Sequence, residues 1–314
     1  MFCKAKFLLV NLLLAVLCFQ NLYAYDFESD GVYYNIIDNV LKQVEVTHSG
    51  NPQNNQYQSG TYYLPDVVRY EDVEYHVTSI GDSAFFSCRV WFSVNLPQSV
   101  TRIGNAAFQG SMLQSVNIPE SVTSIGNGAF FNCSGLQYVD ISSGITSIGD
   151  STFFSCSGLM SVNIPESVTS IGNAAFQGCR ALQFVNIPQS VRTIGNAAFS
   201  NCMTLETIVS YAQIPPVCGN NTFQGVDKSN CIVRVALSKV DAYKAADTWG
   251  EFVNIQGDEA LSIDGLYEES SKVDIYNLQG RLLYPKADIE EVKDALPKGI
   301  YLLRQGQRTI KVVF

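Results

Sequence analysis

Six blocks of ten residues, each built around Ile-Gly, recur along the middle of this chain and leave few architectures open. They read SIGDSAFFSC from Ser79, RIGNAAFQGS from Arg102, SIGNGAFFNC from Ser124, SIGDSTFFSC from Ser147, SIGNAAFQGC from Ser170 and TIGNAAFSNC from Thr193. Their starts lie 23, 22, 23, 23 and 23 residues apart. Between them runs a second regular segment, LQSVNIPESVTSIG from Leu113, LMSVNIPESVTSIG from Leu159 and LQFVNIPQSVRTIG from Leu182. Self-similarity at such a period means one small unit copied end to end. No unit can bury its own apolar side, so the units must stack.

Each unit can be read from its residues. Val116 and Ile118, Val139 and Ile141, Val162 and Ile164, and Val185 and Ile187 alternate with polar neighbours. Period two predicts a short strand with one buried face. The prolines that follow, Pro97, Pro119, Pro165 and Pro188, end it. In the Ile-Gly-Asx step, glycine suits a tight turn with positive φ. The next residue (Asp82, Asn105, Asn127, Asp150, Asn173, Asn196) is placed to cap a helical turn. Phe85, Phe108, Phe130, Phe153, Phe176 and Phe199 then fill the hollow of each coil. With strands about 4.8 Å apart, seven coils make a face roughly 30–35 Å long.

The motif L-x-x-V-x-I-P-x-S-V-x-x-I-G-x-x-A-F-x-x-C resembles the BspA-like class of leucine-rich repeats, found in bacterial surface proteins. The likeness is strong over roughly residues 57–210. Tyr62-Tyr63-Leu64-Pro65 and Tyr75-His76-Val77-Thr78 are similar to the atypical first repeat of that class. Tyr211 to Pro216, and Asp241-Ala242-Tyr243 through Trp249, resemble its closing cap. The fold implied is an α/β leucine-rich-repeat solenoid with short parallel strands and an irregular or short-helical convex side. The partner class implied is extracellular-matrix proteins.

The ends of the chain suggest its route. Lys4 and Lys6 precede an apolar run from Phe7 to Phe19, too short to span a bilayer, and Ala24 suits peptidase cleavage. Residues 1–24 are therefore expected to be a secretory signal peptide. A lipoprotein signal ending at Cys18 would want a small residue where Leu17 stands. From about Gly257 the pattern changes, so residues 25–257 are assigned to the solenoid with its caps and 258–314 to a small all-β domain. There Val273-Asp274-Ile275-Tyr276-Asn277 alternates as a strand, Leu278-Gln279-Gly280-Arg281 reads as a hairpin turn, and Ile300-Tyr301 and Lys311 to Phe314 mark further strands. IYNLQGR and LPKGIY in this tail resemble the C-terminal sorting domain of type IX secretion substrates. That resemblance implies contact with export machinery and delivery to the outer cell surface. A small β-domain with no targeting role is the alternative.

Composition narrows the chemistry. The formal charge is −9, so phosphate backbones are repelled and nucleic acid is a poor partner. Beyond residue 24 no segment is long and apolar enough to be a membrane span. The only histidines, His48 and His76, precede the regular repeats, and the repeats hold no lysine. No nucleophile, base and orienter come together in the sequence, and no cofactor motif is present, so a non-enzymatic role is expected. Asp26, Glu28, Asp30 and Gly31 resemble the start of a calcium loop, but Ile37 stands where the bidentate Glu belongs; a turn is the better reading.

Cysteine usage follows the repeat. Cys88, Cys133, Cys156, Cys179 and Cys202 share one position, which Ser111 takes in the remaining copy. No close ligand pair exists for a metal. Parallel side chains about 4.8 Å apart sit beyond the Cβ separation of about 3.5–4.5 Å that a bridge needs. These residues are assigned a structural role as a packed column. Cys218 and Cys231 flank the closing loop, where a disulfide and two thiols both remain open.

The solvent side of the strands is the candidate binding site, since leucine-rich repeats use this sheet as their concave ligand surface. One exposed column reads Tyr63, Asn95, Asn117, Asp140, Asn163, Asn186 and Val209. Its neighbour reads Thr61, Ser93, Ser115, Tyr138, Ser161, Phe184 and Thr207. Amides offer donors and acceptors, and rings on an open sheet anchor a protein partner or stack on a sugar. A solvated amide ladder with rings merely covering their neighbours is the plainer alternative. An extracellular matrix-type protein or a glycan is the expected partner.

Overall fold

The computed structural model describes residues 25–50, 60–88, 92–258, 261, 273–277, 282–287, 292, 296, 300–305 and 308–313. The proposed signal peptide and the turn at 278–281 lie outside them. The chain forms a strand-rich solenoid. Its first wall comprises strands Gly60–Tyr63, Phe92–Asn95 and Leu113–Asn117, then Tyr138–Asp140, Ser161–Asn163, Phe184–Ile187, Thr207–Ser210, Ile232–Ala236 and Asn254–Asp258. All the pairings in this wall are parallel, as coils wound in one direction require. The ladder divides between Leu113–Asn117 and Tyr138–Asp140, so the wall is two sheets laid side by side. A second wall pairs the Ser-Ile steps, from Val73–Ile80 through Arg102–Ile103 to Ser124–Ile125, and from Ser147–Ile148 to Val217–Cys218.

The third side is made of turns, not helices. Ser83, Ala106, Ser151, Ala174 and Ala197 adopt positive φ, as does Gly128. Alternate amides there bond within the turn and to the next coil: Phe86 N donates to Ser83 O at 3.0 Å, while Ser83 N donates to Asn105 O at 2.9 Å and Phe85 N to Ala107 O at 2.6 Å. A helix would send every amide back along its own turn and leave the coils unlinked. The structure thus replaces the expected helical turn, and the Asx residue does not cap one. Its side chain reaches across instead. Asp82 Oδ1 accepts from Asn105 N at 2.8 Å, Asn105 Oδ1 from Asn127 N at 2.9 Å, and the ladder continues through Asp150 and Asn173 to Asn196.

The glycine of Ile-Gly-Asx also does something other than expected. The positive φ falls two residues later, and glycine is needed because the coils touch there. A Cβ on Gly126 would lie 2.5 Å from Asn105 N, and one on Gly172 would lie 2.6 Å from Asp150 Oδ1. Real atoms do not approach that closely, so the Asx ladder and this glycine require each other.

Inside, the rings stack. Phe85, Phe108, Phe130, Phe153, Phe176, Phe199 and Phe223 follow one another at 5.0–5.6 Å with tilts of 9° or less. Cys133, Cys156, Cys179 and Cys202 are buried beside them. Each thiol donates to the carbonyl of the phenylalanine one coil earlier, Phe108, Phe130, Phe153 and Phe176, at 3.0–3.2 Å. Burial pushes the Cys133 and Cys202 thiols up to about 12. Cys88 is buried at the same position.

The ends of the stack are closed. Before the first coil, Phe27–Ser29, Val32–Asp38 and Gln43–Thr47 form an antiparallel unit whose last strand joins the second wall beside Val73–Ile80. Asp30 and Gly31 make its tight turn, both with positive φ. At the other end Trp249 tilts onto Phe223 at 5.2 Å, and its Nε1 donates to Pro216 O at 2.9 Å. Tyr243, on the short helix Val240–Ala245, shares a 2.5 Å hydrogen bond with Ser210. Cys218 and Cys231 stand as thiols with no bridge between them, one on the second wall and the other just before the first-wall strand Ile232–Ala236. In the C-terminal region four antiparallel strands, Val273–Asn277, Leu282–Ala287, Ile300–Gln305 and Arg308–Val313, form a separate sheet.

Candidate functional site

The strand register assembles the candidate surface. Thr61, Ser93 and Ser115 are partners in turn, and so are Tyr63, Asn95 and Asn117. Past the division, Tyr138, Ser161, Phe184 and Thr207 form one column. Asp140 pairs with Asn163, and Asn186 with Val209, in the other. Asn117, Asp140, Asn163 and Asn186 each lie between two buried valines or isoleucines, such as Val139 and Ile141, and Tyr138, Ser161 and Phe184 each precede the buried valine of their strand, so the pleat sets their direction. Tyr63 is 75% exposed, Tyr138 61% and Phe184 39%. Tyr138 and Phe184 share a column and a sheet, whereas Tyr63 belongs to the first sheet, three coils away.

Three features of this face were not read from the sequence. Met160, beside Ser161 and between the coils of Tyr138 and Phe184, is 47% exposed and adds apolar surface there. The sheet also runs on by two strands, which place Ile232 and Asn254 after Thr207, and Arg234 and Gln256 after Val209. The cap residues that form these strands carry no repeat signature. Finally, Val209 is only 7% exposed, because it packs with Ala236, Leu261 and Tyr211 in a cluster separate from the main core. Leu261, shortly after the last solenoid strand, thus covers Val209 on this face. Burial, with Glu166 and Asp258 nearby, holds the Tyr211 hydroxyl above its usual range.

Electrostatically the open part is quiet. From Tyr63 to Asn186 the two columns contain one charge, Asp140, among serines, amides and rings. Among the described residues no group of three or more metal-ligating side chains forms. No helix among them is long and apolar enough to cross a membrane. The surface offers hydrogen bonds and ring faces.

A parallel-stranded solenoid with an internal phenylalanine stack and an open strand face defines a leucine-rich-repeat protein. The model of the BspA type leucine rich repeat region matches residues 69–183 and 146–243 in six copies, together more than half of the 314 residues. The chain belongs to that family. Among solved structures it is similar to a Treponema pallidum leucine rich repeat protein, with 24% identity and a TM-score of 0.51, covering 62% of this chain and 85% of that one. It is also similar to a leucine rich cell surface protein from Faecalibacterium prausnitzii, at 30% identity and a TM-score of 0.45, covering 60% and 55%. No functionally curated protein matches the chain.

Proposed function

We propose that this protein is a non-catalytic, adhesin-like binding protein, secreted or attached to the outer cell surface, which contacts a host or microbial macromolecule through its open sheet. One observation carries the reading: Tyr138 and Phe184 project from a laddered sheet into solvent at 61% and 39% exposure, amid hydrogen-bonding side chains of which only Asp140 is charged. Rings held this way lose little entropy on binding, and such anchors dominate recognition surfaces. A matrix-type extracellular protein is the partner class that the family implies, and a cell-surface glycan is the alternative. Residues 1–24 would direct export. The four-stranded C-terminal sheet within 258–314 would serve as a type IX sorting domain.

The test is binding of the mature chain, residues 25–314, to immobilised extracellular-matrix proteins and to a glycan array. Tyr138→Ala combined with Phe184→Ala is expected to weaken the captured interaction at least about tenfold, or ~1.4 kcal/mol, with unchanged circular dichroism. Full binding by that double variant would remove the rings from the site.

A further inference from the structure

Resting on the reading that the open sheet is the binding face, we infer that its ligand is an extended, uncharged polysaccharide. The polymer lies along the solenoid axis, across the strands, and advances by one sugar unit per strand.

The register supplies the first argument. Tyr138, Ser161 and Phe184 are successive partners, so a ring is followed by a small side chain and then by a second ring. Two strand spacings separate the rings, about 9.6 Å. A β-1,4-linked pyranose chain in its extended form flips at every unit and shows the same face at every second one. Two units advance by nearly this distance. Both rings therefore meet equivalent sugar faces, and the flipped unit between them passes over Ser161. Apolar sugar faces stack on aromatic rings while their hydroxyls point sideways.

The second argument is what lies to the side. Asp140 and Asn186 stand two residues along the strand from Tyr138 and Phe184, and Asn163 stands two from Ser161. At about 3.3 Å per residue that is roughly 6.6 Å away, in position for the hydroxyls along one edge of a chain seated on the rings. The Asp140 carboxylate offers acceptors and the Asn163 amide both a donor and an acceptor, while Asn186, whose Oδ1 is buried, offers its amide donors.

Charge and backbone satisfaction decide against the other polymers. With Asp140 the only charge on the track and −9 on the chain, a polyanionic glycan would be repelled. An extended peptide gains most from unpaired strand edges. Crossing the middle of this sheet it would find the main chain already paired from coil to coil. The track then stops where Leu261 covers Val209, which bounds the length of ligand in contact.

The experiment is titration calorimetry of the mature chain, residues 25–314, with cellobiose, cellotetraose and cellohexaose, the matching manno-oligosaccharides, hyaluronan, and maltohexaose as the non-extended control. Affinity is expected to rise stepwise with length in the β-1,4 series, with hyaluronan and maltohexaose silent. Phe184→Ser together with Ser161→Phe keeps the composition but brings the rings to one strand spacing. It should lose at least tenfold in affinity while melting like the unaltered protein. Equal binding by this ring-shifted variant, or no binding at any length of the extended series, overturns the inference. If matrix proteins are captured, lose affinity in the Tyr138→Ala and Phe184→Ala variant, and the oligosaccharides stay silent, the polysaccharide is refuted while the open-sheet reading stands. Ligands bound with no dependence on either ring would overturn both.

Discussion

Replacing Phe153 by alanine removes the middle ring of a seven-ring stack and so tests what holds the coils together. The side chain is fully buried, with Phe130 and Phe176 each 5.3 Å away and tilted by 3° and 7°. A buried Phe→Ala change costs about 3–5 kcal/mol, the spread depending on how far the site collapses. Collapse is difficult here, because backbone ladders hold the flanking coils in fixed register. Two ring contacts, each worth ~0.5–1.5 kcal/mol beyond area, are lost as well. The expected loss is therefore at the upper end, about 5 kcal/mol, out of a total that for domains is roughly 5–15 kcal/mol. Urea unfolding would be followed by far-ultraviolet circular dichroism and by Trp249 fluorescence, after Trp91→Phe removes the only other tryptophan. Since Trp249 lies 5.2 Å from Phe223, it reports the C-terminal coils, and a weakened middle should separate the two transitions. A loss below about 2 kcal/mol, or coincident transitions at both probes, would refute the stack as the main coupling between coils.

Two further outcomes follow from the local geometry. Gly126→Ala should destabilise by about 1–3 kcal/mol as an overpacked contact, because its Cβ would meet Asn105 N at 2.5 Å. Gly128→Ala should change stability by less than ~1 kcal/mol despite a φ of 61°, since Ala106, Ala174 and Ala197 hold the same position at 52–53°; thermal melts that ranked the two the other way would refute the close-contact account. The ladder thiols should resist alkylation in the folded protein at pH 8 and react on unfolding. Because burial raises the Cys133 and Cys202 thiols to about 12 from 9.0, their contribution is intact below pH 9 and lost as pH rises from there towards 12. A stability flat across that window, measured by urea midpoints, would contradict their burial.

The period, the strands, the buried column and both outward columns could be read from the sequence because each follows from alternation within a copied unit. The residues Val139 and Ile141 point inward and Tyr138 and Asp140 outward for the same reason, the pleat. What escaped were effects between units. A glycine can be present for its φ or for its missing Cβ, and only the approach of Asn105 to Gly126 tells the two apart. Likewise an Asx residue can cap its own turn or the next coil's amide, and in one isolated coil both look alike. The two additional strands Ile232–Ala236 and Asn254–Asp258 come from cap segments with no second copy for comparison. The cover over Val209 depends on Leu261, a contact between segments that no periodicity links.

The copies within the chain make their own control for the site. The core position of each coil is phenylalanine seven times over, and the strand position behind Tyr138 and Phe184 is valine or isoleucine in every coil after the first, which has Tyr62 there: Val94, Val116, Val139, Val162, Val185 and Ile208. Stacking dictates those choices, since any change of volume would be met by the coils on both sides. The outward column from Thr61 to Thr207 has no such pressure on it and runs Thr, Ser, Ser, Tyr, Ser, Phe, Thr. Small hydroxyl side chains satisfy every packing and solubility need at this position, as five of the seven coils demonstrate. Two large rings left at 61% and 39% exposure expose apolar surface that serine would not. On the proposed reading, their placement two coils apart on one sheet serves recognition of a ligand.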